Sequence, residues 1–125
     1  MLTDIEIKIA KSKVGKSTSD NYHEHNDCIR IAYEWLDAQT KIKRRVHKEY
    51  SLKHLIERWA GRYISRDDVE VAAFLHPDIE GEYPFYNISS RLTLPDIKRL
   101  AEIPEAFTQG QHENQSYNEY AVIER

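Results

Sequence analysis

Between Asn21 and Thr40 the chain contains neither proline nor glycine, and Cys28, Ile31, Ala32, Trp35 and Leu36 recur at the three- and four-residue spacing of one helix face. Arg30, Glu34 and Asp37 fall on other faces, and the pattern runs on to Ile42. An amphipathic helix of this length has to bury its apolar stripe, so the remaining segments must supply something to pack against it. Ser19 or Asp20 is placed to cap its start.

Two further helices can meet that need. Ser51 precedes Leu52, Leu55, Ile56 and Trp59, which form one stripe, and Gly61 is a natural C-terminal stop. Ser65 can cap the next, with Asp67 and Asp68 in the first turn, where negative charge suits the helix dipole. Val69, Ala72, Ala73 and either Leu75 or Phe74 then face inward, and Pro77 ends the helix. Pro95 suits the first position of a last helix over 96–103, with Ile97, Leu100 and Ala101 inward. At the N-terminus, Ile5, Ile7 and Ile9 alternate with Asp4, Glu6 and Lys8, a period of two that predicts a half-buried strand. Residues 86–94 are a second strand candidate. Residues 120–123 are a third, able to pair with the first. Residues 77–85 read as an acidic loop, and 11–19 and 108–118 as flexible segments.

The expected fold is therefore α+β and helix-dominated: three to four helices packed with a small sheet formed by the N- and C-terminal strands. At 125 residues this is one domain, spanning 1–125. Trp35, Leu36, Leu55, Ile56, Trp59, Val69, Leu75 and Leu100 form the expected core. Two Trp, eight Tyr and three Phe argue against wholesale disorder. Mean hydropathy is −0.73, no apolar run approaches a membrane span, and the first residues lack the apolar stretch of a secretory signal. The single cysteine, Cys28, excludes an internal disulfide and a cysteine-based zinc site. A reducing cytoplasm is the expected compartment.

Charge is segregated along the chain. Residues 1–40 carry a net −2, residues 41–66 a net +7 and residues 67–125 a net −8. The basic block holds Lys41, Lys43, Arg44, Arg45, Lys48, Lys53 and Arg62, together with Arg58 and Arg66. Such a block either meets an anionic partner or is matched internally by the acidic C-terminal half.

Five constellations bear on chemistry. Residues 10–18 read AKSKVGKST, and Gly15-Lys16-Ser17 matches the end of a phosphate-binding loop, in which Lys16 and Ser17 would serve nucleotide and magnesium. Ala10 stands where that motif has glycine, so the loop is incomplete. In YHEHNDC, His23, His25 and Asp27 are candidate metal ligands, but on a helix His25 points away from the other two. Cys28 lies on the apolar face, where a thiol is inert. Leu52–Ala60 and residues 66–76 resemble the two arms of a helix-turn-helix, but acids at the start of the second arm oppose entry into a DNA groove. Glu80, Glu82, Tyr83, Phe85 and Tyr86 form an acidic, tyrosine-rich segment. It either docks on another protein or plugs the core with its rings.

No catalytic residue and no cofactor is indicated. The leading expectation is a small non-enzymatic binding protein that engages an anionic partner, nucleic acid above all, through residues 41–66. The alternative is an inhibitor or adaptor, such as an accessory protein of a mobile genetic element, docking on a protein through its C-terminal half. A nucleotide-binding or metal-dependent enzyme ranks behind both.

Overall fold

The computed structural model describes residues 1–14, 23–44, 51–110 and 119–125. Among these residues four α-helices dominate: α1 (Asp4–Lys13), α2 (Asn26–Ala38), α3 (Leu52–Ala60) and α4 (Arg66–Leu75). Four two-residue strands form two small ladders. β1 (Gly81–Glu82) pairs antiparallel with β2 (Phe85–Tyr86), and β3 (Thr93–Leu94) pairs parallel with β4 (Val122–Ile123). The helix-dominated α+β architecture is thus the one found.

The N-terminal segment is a helix, not a strand. Thr3 and Glu6 make a reciprocal capping box: the Thr3 side chain accepts from the Glu6 amide, and the Glu6 carboxylate accepts from the Thr3 amide. Ile7 and Ala10 are buried, with Val14 partly so, and their spacing is helical. Ile5 and Ile9, one turn apart, both face out. The alternation of three isoleucines therefore imitated a strand while only Ile7 packs inward. β4 accordingly finds its partner in β3.

α2 starts later than the sequence pattern indicated. His25 is its N-cap, accepting the Asp27 amide on Nδ1 at 2.9 Å, while Ser19 and Asp20 lie outside the described residues. α3 follows Ser51, whose hydroxyl makes no cap bond, and stops at Gly61 in a left-handed conformation (φ 61°) that only glycine adopts cheaply. α4 is capped as expected, the Ser65 side chain accepting from the Asp68 amide. Residues 97–100 form a single 3₁₀ turn after Asp96 rather than an α-helix.

α2 lies centrally, packed mainly on α4 and also on α3, α1 and the 3₁₀ turn. Trp35, Leu36, Leu55, Ile56, Trp59, Val69 and Leu100 are all buried in one core, whereas Leu75 is only partly covered. Both tryptophans also hold the C-terminal region: Trp35 Nε1 donates to the Tyr120 hydroxyl (3.0 Å) and Trp59 Nε1 to the Pro95 carbonyl (3.1 Å). Buried Gln39 closes the β3 end by accepting from the Thr93 amide (2.9 Å) and donating to the Thr93 carbonyl (2.8 Å). A buried primary amide satisfied on both sides costs little, and it fixes β3 against the end of α2. Among the described residues no helix is long and apolar enough to cross a membrane.

Candidate functional site: a groove beside the tyrosine hairpin

Residues 81–86 are not a plain acidic loop. They form a hairpin that meets α4 through Arg66 and Tyr83 and shares a groove with the end of α1. Buried Asn87 fixes its base, accepting from the Glu80 amide (2.6 Å) and donating to the Asp78 carbonyl (3.0 Å). Between these elements lies a half-open groove of about 580 Å³. α1 contributes Lys13 and Val14, α4 contributes Arg66, Glu70, Ala73 and Phe74, and the hairpin side contributes Ile79, Gly81, Glu82, Tyr83 and Tyr86. This volume falls in the range of specific ligand sites, about 300–1,000 Å³.

The walls differ in charge. On α4, Arg66 Nε reaches Glu70 at 3.2 Å, and its guanidinium lies 5.1 Å from the centre of the Tyr83 ring. Lys13 on α1 and Glu82 on the hairpin make no ion pair among the described residues. Tyr83 and Tyr86 meet edge to face, with ring centres 6.4 Å apart. Tyr86 is 3% exposed. Its hydroxyl makes no hydrogen bond among the described residues. Burial, aided by the nearby Glu70 carboxylate, pushes the phenol far above its ordinary value, so it stays a protonated donor. Phe74 stands 54% exposed at the rim and also lines a smaller depression with Ile9 and Leu75. Of the expected protein-binding residues, Glu80, Glu82 and Phe85 are exposed and Tyr83 is half-buried, while Tyr86 points inward. Of the two roles weighed for this segment, Tyr86 fills the packing one, while Glu80, Glu82 and Phe85 stay on the surface.

Four cations of the basic block, Lys53, Arg58, Arg62 and Arg66, are matched from within, Arg66 by Glu70. Arg62 is not on the surface but buried, with Nη1 on Glu24 (3.1 Å) and the Tyr63 carbonyl (3.0 Å), and Nε on Glu105 (3.0 Å). Lys53 pairs with Glu57 (3.2 Å) and Arg58 with Glu119 (3.5 Å). Three of these partners — Glu70, Glu105 and Glu119 — come from the acidic C-terminal half. Lys41 is half-buried and donates to the Asp37 carbonyl (2.7 Å), and burial lowers its ammonium. Lys43 and Arg44 are exposed, with no ion pair among the described residues. Arg45 and Lys48 lie outside the described residues.

The remaining candidates among the described residues are engaged within the fold. Lys16 and Ser17 lie outside the described residues, but the segment before them is α1, which removes the strand that a phosphate-binding loop follows. His23 Nδ1 sits 2.8 Å from Oδ1 of fully buried Asp68, whose other oxygen accepts from the Glu24 amide (2.9 Å). Burial raises the Asp68 carboxyl against the pull of these partners. His25 caps α2, and Asp27 accepts from Arg30 (2.7 Å). Among the described residues no group of three or more His, Cys, Asp or Glu is arranged to hold a metal ion. Cys28 is sealed, its thiol directed to the Tyr63 carbonyl and pushed up to about 12 by burial. The first turn of α4, with Asp67 and Asp68 buried, is not presented as a recognition helix would be.

The comparisons add no relative: no protein-family model, no curated protein and no solved structure matches this chain.

Proposed function

We propose that the chain is a small protein-binding module, an adaptor or inhibitor that docks a partner on the tyrosine hairpin and the groove beside it. The observation that carries this reading is the groove itself: three elements converge on a cavity lined by Phe74, Ile79, Tyr83 and Tyr86 and rimmed by single charges. Aromatic anchors within a polar rim are the composition of binding hot spots. The exposed ring of Phe74 extends the apolar surface beyond it, and Phe85 adds an exposed ring on the hairpin itself. A cytoplasmic setting belongs to the proposal, Cys28 being a free thiol.

Site-specific photo-crosslinking tests it. A benzophenone amino acid in place of Phe85 or Phe74 should give a discrete protein adduct in cells that survives nuclease treatment. The same probe in place of Ile97, which is exposed elsewhere, should give none. No adduct, or equal adducts at all three positions, overturns the reading.

A second reading rests on Lys43 and Arg44. With the cations of α3 and of its C-terminal turn internally paired, Lys43 and Arg44 are the cations of the basic block, among the described residues, that an anionic partner can meet. Its signature is affinity for labelled nucleic acid that falls steeply with salt and disappears in Lys43→Glu with Arg44→Glu.

A further inference from the structure

The hydroxyl of Tyr86 is the strongest pointer to what the groove accepts. Tyr86, a residue 3% exposed that lines a cavity, has a hydroxyl with no hydrogen-bond partner among the described residues, a costly arrangement in a fold that satisfies Gln39, Asn87 and Asp68 with care. The other polar groups of the groove divide cleanly. Arg66 pairs with Glu70 on α4, while Lys13 on the α1 wall and Glu82 on the hairpin wall, opposite in charge and lining one cavity, make no ion pair among the described residues. The floor between them is apolar and has room for about two to three side chains.

We infer that the groove binds a short peptide segment of a partner protein: an apolar anchor residue flanked by an acidic residue toward Lys13 and a basic residue toward Glu82, with a main-chain carbonyl accepting from the Tyr86 hydroxyl. This rests on the protein-binding reading above and specifies its ligand. The anchor lies against Phe74 and Ile79 and displaces water from them. The flanking charges meet Lys13 and Glu82, one each, and this fixes the direction of the peptide. The Tyr86 hydroxyl gains its missing partner only when the peptide is bound, so it contributes to affinity without having been satisfied beforehand.

The test is a random peptide library displayed on phage and selected on the full chain, followed by fluorescence polarisation of the selected peptides. Selected sequences should share an apolar residue between charges of opposite sign. Tyr86→Phe should weaken them about five- to tenfold, the worth of one neutral hydrogen bond. The double exchange Lys13→Glu with Glu82→Lys should reverse the preferred order of the flanking charges. Peptides with no charge pattern, or with equal affinity for Tyr86→Phe, overturn this inference. If crosslinking at Phe85 and Phe74 succeeds while these peptide results fail, the protein-binding module stands and only its ligand is wrong; if both fail, both readings fall.

Discussion

Arg62 and Tyr86 are almost equally hidden from water, and the fold treats them in opposite ways. Every donor direction that Arg62 uses ends on an oxygen: Glu24, Glu105 or the Tyr63 carbonyl. The Tyr86 hydroxyl ends on nothing among the described residues. The first site lies where the turn after α3 meets the start of α2 and residues near 105, and the matching of its charges holds three distant segments together. The second lies on an open groove, where a partner can still arrive. Polar groups that are satisfied are structural. Those left open at a cavity are where binding is to be sought.

The largest way to break this comparison is at Arg62. Arg62→Met removes the cation and leaves Glu24 and Glu105 facing each other beside buried Cys28. Urea unfolding should show a loss of about 3 kcal/mol, the low end for breaking a buried pair, because the Glu105 side chain stays 32% exposed and keeps some water. A loss below about 1 kcal/mol would mean that the matched site does not hold the fold.

A smaller effect tests the second matched network, around Arg99. Its guanidinium donates to Glu34, Asp37 and Glu124, and the hydrogen bond from Arg99 holds the Glu124 carboxyl below its ordinary value. A carboxyl with a lowered folded-state value adds stability above the usual carboxylate range and loses it as pH falls through its folded value. Glu124→Gln should therefore flatten part of the acid loss of stability, by about 1 kcal/mol or less given its partial exposure. Asp68 runs the other way. Its raised folded-state value contributes stability at low pH that is lost as pH rises through it. Asp68→Asn should remove that slope, and thermal scans from pH 3 to 7 report both.

The smallest stability effect belongs to the unmatched surface. Lys43→Glu with Arg44→Glu should shift stability by less than about 0.5 kcal/mol, because neither side chain has an ion-pair partner among the described residues. A larger loss would show that the start of the basic block is also structural.

What was legible in the chain follows the range of the interactions. α3 and α4 were readable because their signals lie within a few residues: Gly61 at one end, the Ser65 cap at the other, and apolar residues at helical spacing between. Trp35 and Trp59 announced the core. α1 reads as a strand because Ile5, Ile7 and Ile9 alternate, although the Thr3–Glu6 capping box, a four-residue helix signal, opens the same segment. The start of α2 depends on an imidazole acting as N-cap, which is a rare choice. The fate of Arg62 had no local signal at all, since Glu24 and Glu105 lie 38 and 43 positions away. For the groove, the hairpin tyrosines were visible as a cluster. Lys13, Arg66 and Phe74 came from other elements, and only the packing of α1 on α4 brings them to it.

The most direct measurement is the thermal unfolding of Tyr86→Phe. The substitution deletes one oxygen and nothing else. If that hydroxyl serves a ligand rather than the fold, the melting temperature holds or rises by up to about 5 °C, because an unpaired buried polar group has been removed. A fall of more than about 2 °C would mean that the hydroxyl already holds the fold together, and the contrast between the matched interior and the open groove would not stand.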